Sequence, residues 1–114
     1  MSADVWFKRD IANAKHETAM LYIDSLMGHT YKRLNDERIE WGFIAEEVAQ
    51  YAPELVNYDI QGEPAGLYHW SFTTLAIMGV QDNRTEINNN KTEIESLKAE
   101  IGRLQNRLTA LEAA

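Results

Sequence analysis

Residues 80–111 read VQDNRTEINNNKTEIESLKAEIGRLQNRLTAL, and this stretch decides what kind of molecule the chain can be. Apolar or Asn side chains recur at alternating steps of three and four: Val80, Asn83, Ile87, Asn90, Ile94, Leu97, Ile101, Leu104, Leu108 and Leu111. That is the 3.5-residue period of a left-handed supercoil, sustained over five a/d pairs without proline. The competing reading, one amphipathic helix lying on a globular core, does not call for so long a repeat.

With Val80 as an a position, Glu86, Glu93, Glu100 and Arg107 fall at g, and Lys91, Lys98, Gln105 and Glu112 fall at the following e. Two of these g-to-e pairs are Glu-Lys and one is Arg-Glu, which suits parallel chains. Each exposed pair is worth only about 0.2–1 kcal/mol. Stability is therefore expected from the Ile and Leu knobs of the last three heptads, at roughly 1.5–3 kcal/mol for each one fully buried.

The number of strands is less direct. Ile at a with Leu at d favours two, whereas Asn at successive d positions departs from that pattern. Arg107-Leu108-Thr109-Ala110-Leu111-Glu112 is similar to the trimerisation signature of short three-stranded coils, and the expectation is a parallel trimer. Gly102 interrupts the coil at a cost of about 1 kcal/mol relative to Ala. If Ser71 caps the helix, the run to Ala114 spans roughly 66 Å at 1.5 Å per residue.

Upstream of the helix there is room for one small domain, so the chain divides into a head, 1–70, and a long helix, 71–114, coiled from about 80. Asp10 to about Met27 carries a loosely helical pattern with Gly28 as its stop. Tyr31–Leu34 and Ile39–Trp41 flank the polar Asn35-Asp36-Glu37 as two strands and a turn. A short helix follows over residues 44–51, ending before Pro53. Leu55–Tyr58 and Gly66–Tyr68 straddle Gln61-Gly62-Glu63-Pro64 as a second strand-turn-strand. The fold class is α+β: a small mixed head followed by a long C-terminal helix forming a parallel trimeric coiled coil. Trp6, Trp41 and Trp70 are expected to fill the head's core or a subunit interface.

Composition narrows the chemistry. With 18 Asp+Glu against 11 Lys+Arg the net charge is -7, which opposes binding to phosphate backbones, so nucleic acid is not an expected partner. Absence of cysteine excludes disulfides and thiolate chemistry. No apolar run approaches the roughly 20 residues that span a bilayer, and Met1-Ser2-Ala3-Asp4 has no export pattern; no membrane partner is expected. His16, His29 and His69 are scattered, so neither a metal site nor a cofactor is expected. Glu46 and Glu47 are adjacent and diverge by about 100° on a helix, which does not make a catalytic pair.

The run Ile39-Glu40-Trp41-Gly42-Phe43-Ile44-Ala45-Glu46-Glu47-Val48, followed by Pro53-Glu54-Leu55-Val56, Gly62, Tyr68 and a long helix, resembles the intramolecular chaperone domain of phage tailspikes and tail fibres. Glu46 stands where the family motif has Gln. The resemblance is looser at the start: Asp4, Lys8 and Ile11 match the family pattern Ser-Asp-x-Arg-x-Lys-x-x-Ile, with Trp6 at the Arg position and Ala3 at the Ser position. Asn83 and Asn90 likewise resemble the Asn-at-d layers of phage and adhesin trimers.

The resemblance implies a homotrimer that registers and helps to fold an upstream fibre or tailspike, its client, and is then released by a single-turnover Ser-Lys endopeptidase of its own. It places the nucleophile at Ala3, the general base at Lys8 and the cut between Ala3 and Asp4. A serine needs a base, and lysine can serve only if burial or a cation such as Arg9 lowers its pKa from about 10.4 towards 7–8. Alanine has no hydroxyl, so this chain is expected not to cleave by that route; Ser2 lies one residue out of register. A Ser-to-Ala change, or a start at the natural junction with Met1-Ser2-Ala3 added, would each explain Ala3. The implied location is the host cytoplasm during virion assembly, with the domain absent from the mature fibre. The alternative is a permanent trimerisation module of a fibre or adhesin, without proteolysis. A free-standing hydrolase lacks a nucleophile-base-orienter set.

Overall fold

A computed structural model describes residues 4–114 and divides the chain into two compact units, one ending at Gly79 and the other comprising Val80–Ala114. The first unit is the mixed head. After a 3-10 turn at Asp4–Phe7, its first helix, α1, spans His16–Ser25. This is shorter than the 10–27 that the pattern predicts. Asp10 takes φ 56°, a left-handed conformation that breaks any helical run through it, and Lys15 is still extended. The first helical bond runs from the Ala19 N–H to the Lys15 carbonyl at 3.0 Å. At the other end Leu26 is already extended, two residues ahead of Gly28.

Strands β1 (His29–Tyr31) and β2 (Glu40–Gly42) pair antiparallel, with Thr30 opposite Trp41. The first begins two residues earlier than its sequence pattern suggests. Residues 32–39 are withdrawn from the ladder by local polar bonds: the Asp36 side chain accepts the Arg38 N–H at 2.8 Å, and the Asp36 N–H donates to the Arg33 carbonyl at 3.1 Å. Arg33 and Lys32 then pair with Glu40 and Glu37, at 2.9 and 3.0 Å, across the loop.

Helix α2 (Ala45–Val48) stops short of Pro53, as predicted, and the Ala52 N–H bonds back to the Val48 carbonyl at 2.8 Å. A 3-10 turn at Pro53–Leu55 leads into β3 (Val56–Tyr58), which pairs antiparallel with β4 (Pro64–Leu67). The connecting turn needs Gly62, whose φ of 82° other L-residues rarely adopt. Helix α3 then spans His69–Ala113. It starts two residues before the expected Ser71 cap, because the Ser71 N–H already bonds to the Tyr68 carbonyl at 3.0 Å. Tyr68 is itself anchored by its N–H to the Leu55 carbonyl at 3.0 Å.

The head core is built from small and aliphatic side chains. Among the described residues the buried apolar ones are Ala19, Val48, Ala52, Leu55, Val56 and Leu75, from α1, α2 and its C-terminal turn, the Pro53 segment, β3 and the first turns of α3. Phe43 stacks on Phe72 with ring centroids 5.4 Å apart at their edge. The three tryptophans do not fill the core: Trp6, Trp41 and Trp70 are 73%, 84% and 83% exposed in the single chain. The buried positions are held by two alanines and four larger aliphatic side chains, with Phe43 and Phe72 partly buried against them and the indoles outside that cluster.

Gly42 marks a close approach within the β1–β2 hairpin. A Cβ there would lie 3.0 Å from the Tyr31 hydroxyl and 3.3 Å from its ring, whereas at Gly28 it would meet nothing within 4 Å. Gly42→Ala is expected to lower stability by about 1–3 kcal/mol through forced displacement of Tyr31. Gly28→Ala should leave the urea midpoint nearly unchanged, and equal midpoints for the two variants would contradict this packing.

Candidate functional site

The second unit, Val80–Ala114, is helical through Ala113, and its chemistry lies in one stripe. Ile87, Ile94, Leu97, Ile101, Leu104, Leu108 and Leu111 each leave between 51% and 71% of their surface open in the single chain. Asn83 and Asn90 are exposed at the d positions of the first two heptads. Off this stripe, Thr85, Thr92 and Thr109 turn their hydroxyls inward to the carbonyls four residues back, at 3.2, 3.1 and 3.0 Å. Those threonines thereby satisfy themselves on the outer face, and the apolar row stands open in the single chain.

The residues of the expected cleavage site are less completely placed. Ala3 lies outside the described residues. Asp4 opens the first 3-10 turn, and Val5, Trp6, Phe7 and Lys8 that follow are exposed. Of the two means of activating a lysine base, burial is thus not supplied by this chain's own packing at Lys8. Arg9, the expected cationic neighbour, lies 3.9 Å from the Asp10 carboxylate, both side chains being more than nine-tenths exposed.

Polar contacts that the pattern did not disclose join elements far apart in sequence. His29 Nε2 lies 2.8 Å from Glu47 Oε1, tying β1 to α2, while neighbouring Glu46 is exposed. The Tyr22 hydroxyl donates to Glu54 Oε1 at 2.5 Å, tying α1 to the Pro53 segment. That bond to a carboxylate, helped by burial and by the carboxylate's charge, raises the Tyr22 pKa above the usual tyrosine value. Glu40 is held below the ordinary carboxylate range chiefly by its hydrogen bond from Arg33. Glu40, Glu47 and Glu54 all stood in the motif runs, but the partners of Glu47 and Glu54 lie 18 and 32 residues away, too distant in sequence to be inferred. Beside Tyr22 and Glu54 a cleft of about 370 Å³ opens between α1, the Pro53 segment and the start of α3.

Among the described residues no group of three or more His, Asp or Glu side chains could hold a metal ion, and no helix is long and apolar enough to cross a membrane. What the geometry shows is a small α+β head and, on the second unit, an apolar row that is open in the single chain. Residues 4–57, which are 54 of the 114, match the family described as the chaperone of endosialidase. No curated protein matches the sequence.

Two outcomes test this geometry. Leu104→Ala is expected to cost about 2–5 kcal/mol per chain in the assembled protein, shifting the concentration at which it dissociates. Gly102→Ala, where a Cβ meets nothing within 4 Å, should raise the melting temperature through about 1 kcal/mol of helix propensity. Opposite signs in a dilution series and a melting curve are required.

The Tyr22 proton supplies a third test. A raised folded-state pKa contributes stability that is whole below the unfolded tyrosine value of about 10 and is lost as pH climbs through the folded value. Glu54→Gln should bring the tyrosinate absorbance of Tyr22, isolated by comparison with Tyr22→Phe, to lower pH. An unchanged titration would contradict the bond.

Proposed function

We propose that the chain is a homotrimeric intramolecular chaperone for an upstream phage tail fibre or tailspike. The observation that carries the reading is the open apolar row from Ile87 to Leu111 on a chain whose head matches a chaperone family. Three such rows facing one another hold three upstream chains in parallel register. That raises their effective concentration and lowers the entropic cost of nucleating an interwound fibre. The Glu-Lys and Arg-Glu pairs at g and e favour the parallel arrangement, and the Arg107-to-Glu112 signature favours three strands over two.

Release follows by one self-cleavage at the junction between positions 3 and 4, with Lys8 taking the proton from a hydroxyl at position 3. Removing the domain leaves the fibre protected by its unfolding barrier, because the element that assisted folding no longer assists the reverse. The work is done in the host cytoplasm during virion assembly. In this chain Ala3 supplies no nucleophile, so the domain stays attached. That residue favours a second reading for the sequence as it stands: a permanent trimerisation module on a fibre or adhesin.

The chemistry is tested by restoring the hydroxyl. Ala3→Ser should yield a single new species beginning at Asp4 by mass spectrometry, and adding Lys8→Ala should abolish it. Persistence of the uncut mass in Ala3→Ser, in protein that assembles normally, would favour the permanent module.

A further inference from the structure

Helix α3 begins at His69, upstream of the first a position of the apolar row at Val80, and its opening turns have two unlike faces. One face is spent on the head: Leu75 is buried in the core, and Phe72 and Met78 pack partly buried against it. The other face is open, and it is not polar. Trp70 and Ile77 leave 83% and 54% of their surface to solvent, and Thr73 and Ala76 beside them are exposed.

We propose that this open face pairs with the same face of other copies of the chain, so that the contact between copies begins one heptad earlier, at Thr73, on the head's own part of the helix. The inference rests on the trimeric reading above and adds to it a contact made by the head unit itself.

Three features select a second copy. Carried back from Val80, the heptad puts Thr73 at a and Ala76 at d, with Trp70 and Ile77 at e. The core-facing Leu75 and Met78 fall at c and f, the positions opposite a and d on a coiled-coil helix. The head's own packing thus avoids the side that another helix of the same kind would need. The flanking positions also change character at this level. Further down, a g residue faces e of the next chain with opposite charge, as Glu86 does Lys91, whereas here the corresponding pair is Phe72 with Ile77 and both are apolar. Finally, the a and d side chains of this heptad are small enough for their layers to close. The one hydroxyl among them needs no outside partner, because Thr73 Oγ1 donates to the His69 carbonyl at 3.4 Å. In a parallel coil each layer is made by the same position of every copy, so a face in phase with the row meets itself. An upstream client chain carries no such constraint of phase.

The chain has no cysteine, so engineered thiols report cleanly. Thr73 and Thr74 are adjacent, both exposed, and each bonds its hydroxyl back to its own helix, but Thr74 falls at b. A disulfide forms only between Cα atoms that approach to about 7 Å, a spacing that facing a or d positions can reach and outward b positions cannot. Thr73→Cys and Ala76→Cys are each expected to form covalent pairs of chains about tenfold or more faster than Thr74→Cys under mild oxidation, as for groups held together rather than meeting by diffusion. A rate no greater than that of Thr74→Cys in either variant would overturn the pairing. Native mass of the reduced variants separates the failures. Three chains without a preferred cross-link sink this contact alone, as they would if the face were kept for the upstream client, and one chain sinks the trimeric reading with it.

Discussion

A single helix cannot bury its own apolar seam, and the Val80–Ala114 unit is little else than such a seam. Its isoleucines and leucines stand half open to solvent, while its threonines bond back to the helix and its charges occupy the flanks. In water that arrangement is stable only when other apolar surface covers it, and the 3.5-residue period makes the same seam on another copy the matching cover. The proposed chaperone function depends on that one constraint. A domain that folds well only as an assembly is suited to bringing the chains attached to it into register.

The head is small for the same physical reason. Its core consists of a few aliphatic side chains and two alanines, with aromatic rings at the margin and indoles outside. Cross-links between elements are therefore polar and partly exposed: His29 with Glu47, Tyr22 with Glu54, and Arg33 with Glu40. Such contacts contribute modestly to stability. They join β1 to α2, α1 to the Pro53 segment, and the β1–β2 loop to β2.

Much of the architecture was legible before any coordinates. The helix of the second unit follows from the a/d spacing, and α2 follows from the apolar positions 44, 48 and 51 before Pro53. What misled was local. The 3.6-residue pattern from Ile11 onward is real, but Asp10 in a left-handed conformation and extended Lys15 keep residues 10–15 out of the helix. Asp36 and Arg33 shift β1 by two residues through bonds to their own loop, a choice that hydrophobic patterning does not record. Indoles are usually well buried, yet Trp6, Trp41 and Trp70 lie outside the head's core, whose buried positions go to small and aliphatic side chains, so of the two places expected for them the core is ruled out. Pairings such as Tyr22 with Glu54, 32 residues apart, had no signal at all in a single sequence.

The central claim is that the seam is an interface among three copies, and the most direct measurement is the molar mass of the chain by light scattering across a concentration series. The account predicts a plateau at three times the 13.1 kDa chain, falling only on strong dilution. A mass of one chain throughout the series would contradict it, and a plateau at two would remove the three-stranded register on which the fibre-folding reading is built.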